Sequence, residues 1–168
     1  MLRKLTCLAV SAVIAFGTLS FDLQKEKENP GDRLVGIWEP SNGRSRIKVD
    51  RIGNKYYGRV VWLIEPNDAE GKPRTDINNP NPDLRNLPLR GFRMCKDFVY
   101  QGDDTWSEGT LYDPNNGSTY SGTIKMRDDN TLDMRGYIGV EAIGRTDVWK
   151  RLKMPSKKLF RAHARRFH

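Results

Sequence analysis

Ser118-Thr119-Tyr120-Ser121-Gly122-Thr123-Ile124-Lys125-Met126, the link Arg127-Asp128-Asp129-Asn130, and Thr131-Leu132-Asp133-Met134-Arg135-Gly136-Tyr137-Ile138 decide the fold. In the first run Tyr120, Gly122, Ile124 and Met126 fall on one side, opposed by Thr119, Ser121, Thr123 and Lys125. In the second, Leu132, Met134, Gly136 and Ile138 share a side, opposed by Asp133 and Arg135. Side chains of a β-strand alternate across the sheet with a period of two, so both runs read as half-buried strands. The Asp/Asn link between them is turn chemistry, and the pair reads as a hairpin.

Working outward, the same pattern repeats. Asp113-Pro114-Asn115-Asn116-Gly117 is a second turn, because proline presets φ and Asn and Gly tolerate positive φ. Before it, Phe92 to Tyr100 and Trp106 to Tyr112 flank a Gly102-Asp103-Asp104 turn. Lys55 to Ile64 places Tyr56, Gly58, Val60, Trp62 and Ile64 on one face. Arg44 to Asp50 and Leu34 to Glu39 precede it, and Arg145 to Leu152 comes last. No long segment has a helical period. Eight strands in neighbouring hairpins predict an all-β protein, an eight-stranded antiparallel up-and-down barrel without open edges.

Glu65 to Arg90 breaks the series with 26 residues rich in Asn, Pro, Asp and Arg. A structureless stretch of that length is uncommon inside a domain. An ordered lid anchored by Leu84, Leu87 and Leu89 is expected, with disorder as the alternative. At the N-terminus, Arg3 and Lys4 precede a charge-free run to Ser20, which reads as a signal peptide over residues 1–20. The alternative is an uncleaved anchor. Residues 21–33 read as a linker, 34–152 as the barrel, and 153–168 as a basic tail. Export to the periplasm or beyond is the expectation.

The net charge of +8 belongs to the tail. Eight basic and no acidic residues lie from Lys150 onward; the rest of the chain balances. A nucleic-acid-binding barrel is therefore not expected. Leu159/Phe160, His163/Ala164 and Phe167 recur at helical spacing, so the tail reads either as an amphipathic helix on anionic membrane or as a disordered cationic end.

Gly36-x-Trp38 opens the first strand and Trp149-x-Arg151 closes the last. An indole with a guanidinium stacked over it would plug one barrel end, the arrangement that marks lipocalin-like (calycin) barrels. Further groups occur in order: Tyr57-Gly58-Arg59-Val60-Val61-Trp62, Asp76-x-Asn78-Asn79-Pro80, Leu89-x-Gly91, Gly109-x-Leu111-Tyr112-Asp113-Pro114, Gly117-x-x-Tyr120, Leu132-x-x-Arg135-Gly136 and Arg145-Thr146-x-x-Trp149-x-Arg151. As a set they resemble the bacterial exported family catalogued as domain of unknown function 2147. The resemblance implies a calycin barrel and export, and carries no established activity. Some members have cysteines where this chain has Tyr57 and Tyr137, so it implies no disulfide here.

Both histidines, His163 and His168, lie in the tail, which leaves no Ser-His-Asp or Cys-His arrangement for the barrel. No catalytic residue, metal ligand or cofactor is assigned. After signal removal Cys95 is the lone cysteine and is expected to be buried. The inward faces instead suggest an apolar pocket. Its candidate lining is Tyr56, Val60, Trp62, Tyr120, Ile124, Met126 and Met134, with Gly58, Gly122 and Gly136 interleaved to leave either ligand space or close packing. Arg145 is the candidate contact for a ligand carboxylate if Trp149 faces inward; if Val148 does, Arg145 and Asp147 are exterior charges, and the exterior arrangement is the expected one. Two functions follow: a binding module for a small, mainly apolar ligand, or a non-catalytic envelope interaction protein with a filled barrel.

Overall fold

The computed structural model describes residues 29–153; the expected leader, most of the linker and the tail beyond Lys153 lie outside them. The strands are β1 (Gly36–Glu39), β2 (Ser45–Ile52), β3 (Lys55–Leu63), β4 (Arg93–Gly102), β5 (Thr105–Asp113), β6 (Ser118–Asp128), β7 (Thr131–Tyr137) and β8 (Arg145–Arg151). Each pairs antiparallel with its neighbour, and the order closes into a barrel. Closure rests on two register pairs, Trp38 opposite Arg151 and Glu39 opposite Lys150. The up-and-down, all-β expectation holds.

The tight hairpins follow their turn chemistry. Only Asp103 and Asp104 separate β4 from β5, both at positive φ (46° and 54°). Two such residues match the twist of the flanking strands, and aspartate tolerates that region.

Strand direction assigns the two barrel ends. The β2–β3, β4–β5 and β6–β7 turns share one end with the start of β1 and the finish of β8. This end is closed. Pro30–Leu34 forms a 3-10 turn, capped by Asn29, whose Oδ1 accepts the Gly31 N–H at 2.9 Å. Residues 29–33 were expected as linker; they are instead part of the barrel end. Gly31 makes that possible, since a Cβ there would sit 2.4 Å from the Tyr56 hydroxyl. Above the turn, Leu34, Tyr56, Phe98, Trp106, Ile124 and Leu132 are all buried. The Tyr56 and Trp106 rings meet edge to face at 6.2 Å, an arrangement favoured by the ring quadrupoles.

Trp38 is the plug. It is fully buried, its Nε1 donates to the Leu34 carbonyl at 2.9 Å, and the Arg151 guanidinium lies 4.2 Å from its ring. Arg151 also donates from Nη1 to Val35 O at 2.8 Å, and from Nε and Nη2 to the carbonyls of Asp129 and Arg33. Gly36 has φ 154°, and a Cβ on it would lie 2.4 Å from Arg151 Nη1. The spacing Gly36-x-Trp38 is thus steric: the glycine admits the guanidinium that covers the tryptophan.

The face assignment changes within β3. Arg46 is opposite Trp62 while Ile47 is opposite Val60, so β3 carries one extra residue, Val61. A bulge of this kind reverses the alternation beyond it. Trp62 therefore turns outward, where the Arg46 guanidinium stacks on its ring at 4.4 Å, and Leu63 takes the inward position.

Cys95 is buried as expected. Its side chain fills the space left by Gly58, whose Cβ would meet Cys95 Cβ at 2.9 Å. Burial pushes the thiol pKa up to about 12, so it stays protonated and unreactive near neutral pH.

Candidate functional site

The opposite end carries the β1–β2 turn, the 64–92 loop, the β5–β6 turn and the β7–β8 link. Here the barrel is not filled. A cavity of about 960 Å³ opens to solvent between these connections and reaches down to Met134 and Trp149. Its wall is Val60 and Leu63 from β3, Met94 from β4, Leu111 from β5, Tyr120 from β6, and Met134 from β7. The closed half holds a void of about 10 Å³, at the lower limit for one water.

Four glycines of the inner face, Gly58, Gly109, Gly122 and Gly136, follow this division. A Cβ on Gly122 would lie 2.5 Å from Phe98 Cζ, and one on Gly109 would lie 2.4 Å from Phe98 Cγ. Both glycines thus make room for the Phe98 ring. Gly58 does the same for Cys95. Gly136 differs: the nearest atoms, Leu111 Cδ2 and Tyr120 Cβ, are at 3.6 Å, an ordinary contact, and Gly136 lines the cavity. Of the four, Gly136 alone has room for a side chain, at the cavity wall; the space at Gly58, Gly109 and Gly122 is occupied by neighbours.

The candidate lining residues separate accordingly. Val60, Tyr120 and Met134 line the cavity. Tyr56, Ile124 and Met126 belong to the packed core and do not. Tyr56 donates its hydroxyl to Asp32 Oδ1 at 3.1 Å, and burial raises its pKa to about 12. Trp62 is outside the barrel. Among residues the alternation pattern missed, Leu63 was hidden by the bulge. Met94 and Leu111 lie on strands whose own bulges, at Asp97 and Glu108 (φ 61° and 63°), blur the period.

Trp149 is buried and faces inward, so Arg145 and Asp147 share its side. The expected exterior placement of these two charges is overturned. Burial of an unpaired Asp is avoided because Asp147 Oδ2 accepts the Trp149 Nε1–H at 2.8 Å. Arg145 lies opposite Gly136 in register and reaches the mouth, where its head stays exposed. Across the mouth, Arg44 and Arg74 share one carboxylate, Glu65, at 3.2 and 2.8 Å.

The long loop is ordered, but its anchors are polar. Leu84 and Leu87, expected to hold it, are exposed. Fully buried Asp76 holds it instead, accepting from the Tyr112 hydroxyl at 2.9 Å and from Asn79 Nδ2 at 2.6 Å. Asn78 Nδ2 donates to the carbonyls of Pro114 and Asn115, both at 3.0 Å. Gly117, at φ 70°, completes the dock, since a Cβ there would be 2.0 Å from Asn78 O. The loop thus forms one side of the mouth through Glu65, Arg74 and Leu89.

Residues 36–151 match the model of a family described as an uncharacterized protein conserved in bacteria, DUF2147. The chain belongs to this family. The matched span runs from the first residue of β1 to the last of β8, so the DUF2147 unit is the whole barrel, plug and cavity included. A search of curated protein sequences finds no match. Among solved structures, a Helicobacter pylori protein described as belonging to the lipocalin family aligns with a TM-score of 0.64 at 23% identity. The alignment covers 76% of this chain and 87% of that one. The likeness is one of fold: the DUF2147 barrel is lipocalin-like.

Proposed function

We propose that this DUF2147 barrel is an exported binding module for a small, mainly apolar ligand held in its open half. The observation that carries the reading is the cavity of about 960 Å³ above a packed floor. Its size is at the upper end of small-molecule sites, about 300–1,000 Å³, and such sites combine an apolar wall with a few convergent polar groups. Val60, Leu63, Met94, Leu111 and Met134 supply the wall, and methionine adapts its shape to different occupants. Arg145 supplies a donor fork at the mouth for the polar end of an amphiphile. The rival filled-barrel reading describes the closed half well. It leaves the open half without a purpose.

The test is a titration with a medium-chain fatty acid or similar amphiphile, followed by tryptophan fluorescence. Trp149 is the tryptophan on the cavity wall, whereas Trp62 lies outside the barrel. A saturable change that disappears in Trp149→Phe is expected. No response up to the solubility limit of several chain lengths would remove the binding reading.

Export rests on the charge-free stretch after Arg3 and Lys4. Cell fractionation with N-terminal sequencing should find a mature chain beginning between about Thr18 and Asp22 in the envelope fraction. Intact Met1 protein in the cytosol would contradict it.

A further inference from the structure

Three carboxylates line the cavity, and two of them are committed at its mouth. Glu65 holds Arg44 and Arg74, and Asp113 caps its own turn, accepting from the backbone and side-chain nitrogens of Asn115 at 2.9 and 2.8 Å. Asp147 is different. It stands in the middle of β8, opposite Met134 in register, so its carboxylate lies below the mouth, beside the Met134 and Trp149 side chains where the cavity ends.

Only one oxygen of Asp147 is in use. Oδ2 accepts the Trp149 indole N–H at 2.8 Å, which fixes the orientation of the carboxylate. Oδ1 has no hydrogen-bond or ion-pair partner among the described residues. Arg145 is two positions away on the same face, a rise of roughly 6–7 Å along a strand, yet the two charges do not pair. The apolar wall of Val60, Leu63, Met94, Leu111 and Met134 has no donor to offer.

The cavity is open, so solvent reaches Oδ1. A ligand that fills the cavity displaces that solvent. If its buried part is purely apolar, a carboxylate with one oxygen unpaired is left against hydrocarbon, and such a group is costly to bury. A ligand whose inner end carries a hydroxyl or an ammonium group restores the missing partner. Hydrogen bonds to a charged acceptor are the stronger kind, so this contact discriminates sharply.

We infer that Asp147 selects the ligand: the cavity takes a molecule with an apolar body and a hydrogen-bond donor, hydroxyl or ammonium, at its inner end. With Arg145 at an anionic outer end, the occupant is polar at both ends and apolar between. This rests on the binding reading and narrows it, because a simple fatty acid satisfies Arg145 and leaves Asp147 stranded.

The probes are straight-chain carboxylic acids of six, eight and ten carbons, each compared with its ω-hydroxy and ω-amino derivative. Affinities for the full chain are measured by titration calorimetry near neutral pH. At the chain length that fits, a donor-bearing acid is expected to bind about tenfold or more tightly than the unsubstituted one. Which derivative gains more distinguishes a hydroxyl from a cationic inner end. Asp147→Leu should reverse the order, favouring the unsubstituted acid. Asp147→Asn keeps an oxygen for the Trp149 indole but turns an amide NH2 toward the ligand, so any preference for the ω-amino acid should vanish. The side chain faces the cavity, and thermal melts check that both variants keep the fold. A carboxylate that only orients Trp149 would leave the order of affinities unchanged in both variants, and that result would overturn the inference. So would unsubstituted acids that bind the natural chain as tightly as their derivatives; binding would then stand without the selection. Absence of binding by every probe would remove the binding reading and the selection together.

Discussion

Replacing Trp38 with alanine is expected to destabilise the barrel by about 3–5 kcal/mol, the range for removing a fully buried large aromatic. Urea unfolding followed by circular dichroism would measure it. The expected loss is large because one residue serves three purposes. Trp38 fills the closed end, tethers the 3-10 turn through its indole N–H to Leu34 O, and forms one of the two register pairs that close β1 on β8. Its cross-strand partner in that pair is Arg151, the residue stacked on its ring. Arg151→Ala should cost about 1–3 kcal/mol, because three backbone carbonyls lose a donor. The double variant should lose less than the sum, since each replacement already removes the stacking. Effects that add to within about 0.5 kcal/mol would show that the two residues act independently, against the plug.

The second large effect separates two glycines that look alike in the sequence. Gly136→Leu should keep the fold to within about 1 kcal/mol and lower amphiphile affinity about tenfold or more, by filling cavity space next to Arg145. Its Cβ meets nothing closer than 3.6 Å. Gly122→Leu should destabilise by about 3 kcal/mol or more, because its Cβ alone falls 2.5 Å from the Phe98 ring. Thermal melts and the fluorescence titration, run on both variants, give the comparison. A folded Gly136→Leu that binds as tightly as the natural chain would place the ligand elsewhere than in this cavity.

Much of the architecture was readable from residue order. Period-two alternation in β6 and β7, the Asp/Asn/Gly turns and the paired Trp38 and Arg151 at the two ends of the pattern led to the barrel, because strand alternation and turn conformation are local properties. Local reading failed where the pairing partner matters. Nothing in Arg59-Val60-Val61-Trp62 announces that β2 offers one residue fewer than β3 across that stretch. The loop anchors were misread for a related reason. Leu84 and Leu87 are apolar, but the loop backbone brings Asp76 under Tyr112, and a buried carboxylate with two donors holds more firmly than leucines that never reach a wall.

The class of fold, the number and order of strands, the end plug and the family are legible in residue order, since they depend on patterns within a few residues and on their succession along the chain. That the barrel is packed at one end and hollow at the other follows from contacts between distant strands. A glycine carries no information about what stands opposite it. Gly122 and Gly136 are direct partners across β6 and β7, yet a Cβ on Gly122 would clash with the Phe98 ring from β4, while one on Gly136 would make ordinary contacts with Leu111 and Tyr120 at the cavity wall.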